Sequence, residues 1–202
     1  MKKITSMFLV AILYGCGSSV SPVDQGLIDQ VMHIGNGSEP QGLDPHIVTG
    51  VPEHHLLITM CEGLTISNPK GGANLPGMAE SWEISEDGKT YIFNIRKDAK
   101  WSNGDDFVAD DMVWSWMRVL TPSLGSQYPD MLYYLEGAYE YHNGIIDDFK
   151  KVGVKALDDH TLKVSLKNPT PFFLGLLSHY STWPVHKDTV LKFGDIDDRN
   201  GE

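Results

Sequence analysis

Three kinds of side-chain cluster in this chain have the composition to do chemistry. His54-His55 follows Glu53, a set of residue types able to ligate a transition metal. Neighbours on a helix point about 100° apart, so the two imidazoles would not converge on one ion, and no second Cys or His cluster lies at ligand spacing. They read as surface or loop histidines, with no metal site. Four carboxylate pairs, Asp105-Asp106, Asp110-Asp111, Asp147-Asp148 and Asp197-Asp198, could supply an acid and a base. All fall in turns or first helical turns, where solvation and a helix start account for them. Trp82, Trp101, Trp114, Trp116 and Trp183 could form a stacking platform for sugar or base rings. Most lie on strand or helix stripes and read as core, with Trp183 nearest a surface. Neither a Gly-x-Ser-x-Gly elbow nor a Gly-x-x-x-x-Gly-Lys-Ser/Thr loop occurs, so neither a serine hydrolase nor a P-loop ATPase is indicated. The residues point to binding rather than catalysis, with no cofactor.

Composition narrows the partners. The chain has 202 residues, 41% hydrophobic and 21% charged, which suits a globular fold with one substantial core or two small ones. Sixteen Lys and Arg against 27 Asp and Glu leave a formal charge of −11. Such a surface repels phosphate backbones and anionic headgroups, so nucleic acid is excluded as a natural partner and neutral or cationic ligands are favoured.

Periodicity supplies the elements. Gln30 to Ile34 reads as a first strand, and Glu53 to Thr65 as a helix. Ala79 to Ser85 and Thr90 to Arg96 form a hairpin around Glu86-Asp87-Gly88-Lys89, with Tyr91, Phe93 and Ile95 alternating to one face. Asn103-Gly104 is a tight turn feeding an amphipathic helix that starts near Asp110-Asp111, carries Val113, Trp116, Met117 and Leu120, and stops before Pro122. A helix from Met131 to His142 places Leu132, Leu135 and Tyr139 on one stripe and stops at Asn143-Gly144. Val152 to Leu157 and Thr161 to Leu166 make a second hairpin, with Leu162, Val164 and Leu166 inward. Phe172 to His179 and Asp188 to Phe193 are short helices. Strands and helices without a regular βαβ rhythm define an α+β chain. Cys61 reads as a buried small hydrophobe.

Four stretches, in this order, carry a resemblance: Asn36-Gly-Ser-Glu-Pro-Gln-Gly-Leu-Asp-Pro-His46; Glu62-Gly-Leu64 with Gly77-Met-Ala-Glu-Ser-Trp82; Ala99-Lys-Trp-Ser-Asn-Gly-Asp-Asp-Phe-Val-Ala-Asp-Asp-Met-Val-Trp-Ser-Trp-Met-Arg118; and Val154-Lys-Ala-Leu-Asp-Asp-His-Thr-Leu162 leading into Pro169-Thr-Pro-Phe-Phe173. Together they resemble the oligopeptide and dipeptide class of extracellular solute-binding proteins, family 5, which serve ATP-driven importers. The resemblance implies a type II periplasmic-binding-protein-like fold, and a peptide ligand lying extended between two lobes by main-chain pairing. It implies that Thr49, Gly50 and Val51 pair with the ligand backbone and that Tyr128 contacts the ligand. Relatives often carry glutamate at the place of Thr49, and a threonine cap at that of Val108. It further implies a permease as partner, a monomeric state, and no catalysed reaction. The alternatives are a family member for a nickel chelate, haem or a sugar, or a membrane-anchored scaffold.

The amino terminus gives an address. Lys2 and Lys3 precede an apolar run from Ile4 to Tyr14, too short to span a bilayer, and Leu13-Tyr14-Gly15-Cys16 resembles a bacterial lipoprotein signal with Cys16 as the acylated residue. The expected organisation is a signal peptide over 1–15, a flexible tether over 16–29, and the first part of a split lobe over 30–62. A small α/β subdomain over 63–187 and the start of a return to the split lobe over 188–202 follow. Family members are much longer, so the chain is expected to be the first portion of one, held on the periplasmic or cell-surface side of the envelope.

Overall fold

The structure, a computed structural model, describes residues 20–194. Cys16 and the signal segment lie outside the described residues, as does Asp197-Asp198. The chain divides into two compact units, one up to Gly37 and one from Ser38.

The described part of the first unit is built on helix α1, Pro22–Asp29. Ser21 caps it, its hydroxyl accepting from the Asp24 N–H at 3.1 Å, and Pro22 presets the first turn. These signals make residues 22–29 helical where a flexible tether was expected. Gln30 ends the helix in the left-handed region, φ 57. The strand expected over Gln30 to Ile34 does not form; among the described residues no strand pairs with it, and an unpaired strand leaves its backbone groups to water.

The second unit carries a four-stranded antiparallel sheet. Its strands are β3 (Ala79–Ile84), β4 (Thr90–Ile95), β5 (Val154–Asp158) and β6 (Thr161–Ser165), in the order β3-β4-β6-β5. A two-residue pairing of β1 (Thr65–Ile66) with β2 (Leu75–Pro76) precedes it. Both expected hairpins form, and the period of two decides which side chains enter the core. Tyr91, Phe93 and Ile95 on β4, and Leu162, Val164 and Leu166 at and beyond β6, are all buried. Gly88 (φ 68) and Gly104 (φ 96) take left-handed backbone in the two turns where the sequence places them.

Helix α3, Ala109–Leu120, covers the buried face with Met112, Trp116, Val119 and Leu120. Its start has no side-chain cap at Val108, because valine has no acceptor; instead the Asp111 carboxylate accepts the Val108 N–H at 3.0 Å and the Trp101 indole N–H at 3.1 Å. Burying these apolar side chains supplies most of the unit's stability, roughly 1.5–3 kcal/mol for each large one.

Three helices depart from expectation. The first is α2, Val51–Met60, shorter than Glu53 to Thr65 because Cys61 turns extended, leaving Thr65 free to join β1. Cys61 is exposed there, not buried. The stretch Met131 to His142 is split into a 3₁₀ turn, Pro129–Leu132, and helix α4, Ala138–His142, since Gly137 sits at φ 70 between them. Leu132 and Leu135 are buried as expected, but Tyr139 is exposed. Only Phe173–Leu176 of the stretch Phe172 to His179 is α-helical (α5), whereas α6, Lys187–Phe193, matches its expected span up to Gly194.

Candidate ligand-binding site

The loop before α2 is held by a buried ionic clamp. Arg118, on the last turn of α3 and 2% exposed, sends both terminal nitrogens to the Asp44 carboxylate, at 3.1 and 2.7 Å. The same guanidinium donates to His46 Nδ1 at 2.9 Å, and His46 Nε2 lies 2.8 Å from the Trp183 carbonyl. An arginine cannot give up its donor role, so Nδ1 accepts and Nε2 carries the proton. His46 is therefore the neutral Nε2–H tautomer. Burial raises the Asp44 carboxyl, yet the Arg118 hydrogen bond and charge outweigh it and hold the group below its ordinary value. A buried cation is tolerable only when fully paired, so this clamp fixes the path of residues 44–48.

Glu53 adds a second constraint. Its carboxylate is 3% exposed and accepts the Gln41 N–H at 2.6 Å through Oε1. Oε2 lies where a β-carbon on residue 50 would sit, 1.9 Å away. Gly50 is thus required for close approach: its backbone is extended (φ −85, ψ 157) and needs no left-handed freedom. Gly50 is the extended N-cap of the helix, and Val51 is its first residue.

These restraints leave Thr49 and Val51 exposed at the start of α2. The main-chain N–H and C=O of Thr49 make no hydrogen bond among the described residues. One residue earlier, the Val48 carbonyl accepts from the Tyr180 hydroxyl at 3.1 Å. Tyr180 belongs to a second, smaller apolar cluster with Leu57 and Trp183, against which Val48 and Tyr128 pack. Thr49, Gly50 and Val51 thus follow Val48 along the chain, and Tyr128 packs against the same Leu57–Tyr180–Trp183 cluster as Val48.

Sequence reasoning missed the aromatic frame around Tyr128. His179 stacks on Tyr180 at 4.3 Å between ring centroids, Tyr128 meets His179 edge-on at 5.2 Å, and His54 approaches Tyr180 at 5.6 Å. Burial, then the neighbouring His54, pulls the His179 pKa below its ordinary value, so the ring is neutral near pH 7. Burial, reinforced by Tyr128 and Glu53, pushes the Tyr180 hydroxyl up to about 12. His54 is half-buried and only His55 is exposed; no sequence signal linked His54 to His179 across more than a hundred residues. Trp183 is 4% exposed, contrary to the surface position expected, because its indole closes over Gly63, where a β-carbon would lie 2.3 Å from Cδ1. Among the described residues no group of three His, Cys, Asp or Glu side chains is placed to hold a metal ion.

Main-chain groups of Thr49 that make no hydrogen bond among the described residues thus lie one residue beyond the Val48 carbonyl held by Tyr180. Comparison with known proteins defines the class. Residues 75–201 match the family described as bacterial extracellular solute-binding proteins, family 5 Middle. The chain is 42% identical over 193 residues to the periplasmic oligopeptide-binding protein OppA of Escherichia coli, covering 93% of this chain and 35% of that protein. It is 36% identical over 198 residues to the dipeptide-binding protein DppE of Bacillus subtilis, covering 92% and 36%. The crystal structure of Haemophilus influenzae OppA in complex with RPPGFSPFR superposes with a TM-score of 0.74 at 41% identity, over 79% of this chain and 31% of that one. The chain belongs to the family 5 extracellular solute-binding proteins. It spans about a third of the length of the curated relatives it matches, and its α+β fold corresponds to part of theirs.

Proposed function

We propose that this chain captures oligopeptides by main-chain pairing along Thr49, Gly50 and Val51, with Tyr128 packed against the ligand, and serves an ABC-type importer by passing the peptide to a membrane permease. The observation that carries this reading is the free main chain of exposed Thr49 on a strip immobilised by the Arg118 clamp. Hydrogen bonds to groups that every peptide has give affinity without side-chain preference. A strip that is already rigid loses little entropy on binding. The names of the relatives, periplasmic oligopeptide-binding proteins and a dipeptide-binding protein, support the same ligand class.

The proposal extends to a monomer that catalyses no reaction, anchored through acyl-Cys16 on the periplasmic or cell-surface side of the bacterial envelope. It also includes a division in which residues 30–62 open a split lobe, 63–187 form the small subdomain and 188–202 return to the lobe. Intact mass of the protein from its own cells, with and without a diacylglyceryl increment, tests the anchor.

The binding reading is tested by titrating tetra-alanine into isotope-labelled protein and following backbone amides by NMR. Shifts concentrated at Thr49, Gly50 and Val51, and lost from the Tyr128→Ala variant, are expected, with affinity no tighter than about 10 μM for one face of a cleft. Saturating peptide with no shift at these amides would sink the reading.

A further inference from the structure

A groove of the second unit, sharing no lining residue with the strip just described, lies beside the edge strand β5 and holds about 610 Å³. Its apolar floor is formed by half-buried Val113, Phe149 and Ala156. Its rim carries Lys150, Lys151, Lys155 and Lys163, all exposed. None of these four lies within ion-pair distance of a carboxylate among the described residues, although the groove also contains Asp110 and Glu136. Four of the chain's 16 basic residues thus gather on one groove of a protein whose formal charge is −11.

Lys155 and Lys163 are direct cross-strand partners in the β5–β6 register. Like charges placed opposite one another destabilise a sheet. With an acidic residue at either position the pair would become attractive, and acids are the commoner charged type in this chain. The repulsive pair costs the free protein stability that an acidic partner seated beside it would return.

We propose that this groove is a docking site for an acidic protein segment carrying apolar side chains, which lays those side chains on the Val113–Phe149–Ala156 floor and its carboxylates along the lysine rim. Charge complementarity selects the sign of the partner, and the concave apolar floor selects a polypeptide over a flat lipid headgroup surface. Docking relieves the Lys155–Lys163 repulsion, so the cost carried by the free protein is returned in the complex. The site is independent of the peptide-capture strip.

The test uses a blocked peptide of about ten residues alternating Glu and Val, with the matching Lys and Val peptide as control; blocked termini and NMR mapping separate groove binding from capture at Thr49. Amide shifts centred on β5 and β6 are expected with the acidic peptide only, and should weaken roughly tenfold between about 50 and 300 mM salt. Lys163→Glu is the decisive variant. It converts a repulsive pair into an attractive one, so its melting temperature should rise while acidic-peptide binding falls at least roughly tenfold. Tyr128→Ala should leave groove binding unchanged. Equal binding by Lys163→Glu and wild type would overturn the proposal and leave the lysines as guards against edge-to-edge pairing. So would shifts spread over all lysines, or tighter association with phosphatidylglycerol vesicles than with the peptide.

Discussion

The sheet with α3 and the cluster around Tyr180 are packed by different physics. In the first, Phe93, Trp116, Leu162 and Val164 are buried because period two on the strands meets helical spacing on α3, and every one of them is apolar. In the second, the buried apolar cluster is just Leu57, Tyr180 and Trp183, and the position of the loop comes from polar groups: Arg118 on Asp44 and His46, Glu53 under Gly50, and the Tyr180 hydroxyl on Val48. An apolar core tolerates changes that conserve volume, whereas a polar clamp works only when every partner is present. The difference suits their tasks. The core gives bulk stability, and the clamp gives one defined backbone path beside an exposed strip.

Four experiments would break or sharpen that contrast. Phe93→Ala should cost about 3–5 kcal/mol in chemical unfolding, lowering the whole unit cooperatively; a loss confined to β4 would mean the core is less unified than its burial suggests. Arg118→Ala should cost roughly 3 kcal/mol by stranding Asp44 and His46. Because the clamp is local, hydrogen exchange should accelerate most over residues 41–50, and uniform acceleration would erase the distinction between the two regions. Gly50→Ala should cost about 1–3 kcal/mol through collision with Glu53, with Glu53→Gln failing to rescue it because the amide has the same bulk. Val108→Thr should stabilise the first region by up to about 1 kcal/mol, since threonine can accept from Asp111 at the helix start and complete a reciprocal cap.

The pH limits should also differ. Asp44 has a folded pKa below its ordinary 3.8, so its contribution is present above that value and disappears as pH falls through the folded one. Tyr180 is shifted the other way, from 10.0 to about 12, so its contribution is complete below pH 10 and disappears between 10 and about 12. The loop should therefore loosen at both extremes. Tyrosinate absorbance should show Tyr180 ionising late, near pH 12, with Tyr91 and Tyr133 also shifted upward by burial; ionisation of Tyr180 together with the exposed tyrosines would place it in solvent.

Hairpins, α3 and the inward residues of β4 and β6 were legible in the chain because each depends on neighbours within a few positions: alternation, Asn103-Gly104 and the stop before Pro122. Thr49 to Val51 and Tyr128 were singled out only through resemblance, since exposed backbone has no composition of its own. What sequence could not disclose was long-range. Arg118 meets Asp44 across 74 positions, His46 meets the Trp183 carbonyl across 137, and Tyr180 reaches Val48 across 132. Those pairings arise only when the loop, α3 and the 180–183 turn are brought together by burial of their apolar neighbours, and one-dimensional spacing carries no trace of it. Gly50 shows the same division. The fold uses its missing side chain as room for Glu53, because whether a glycine supplies torsional freedom or empty space is decided by what packs against it.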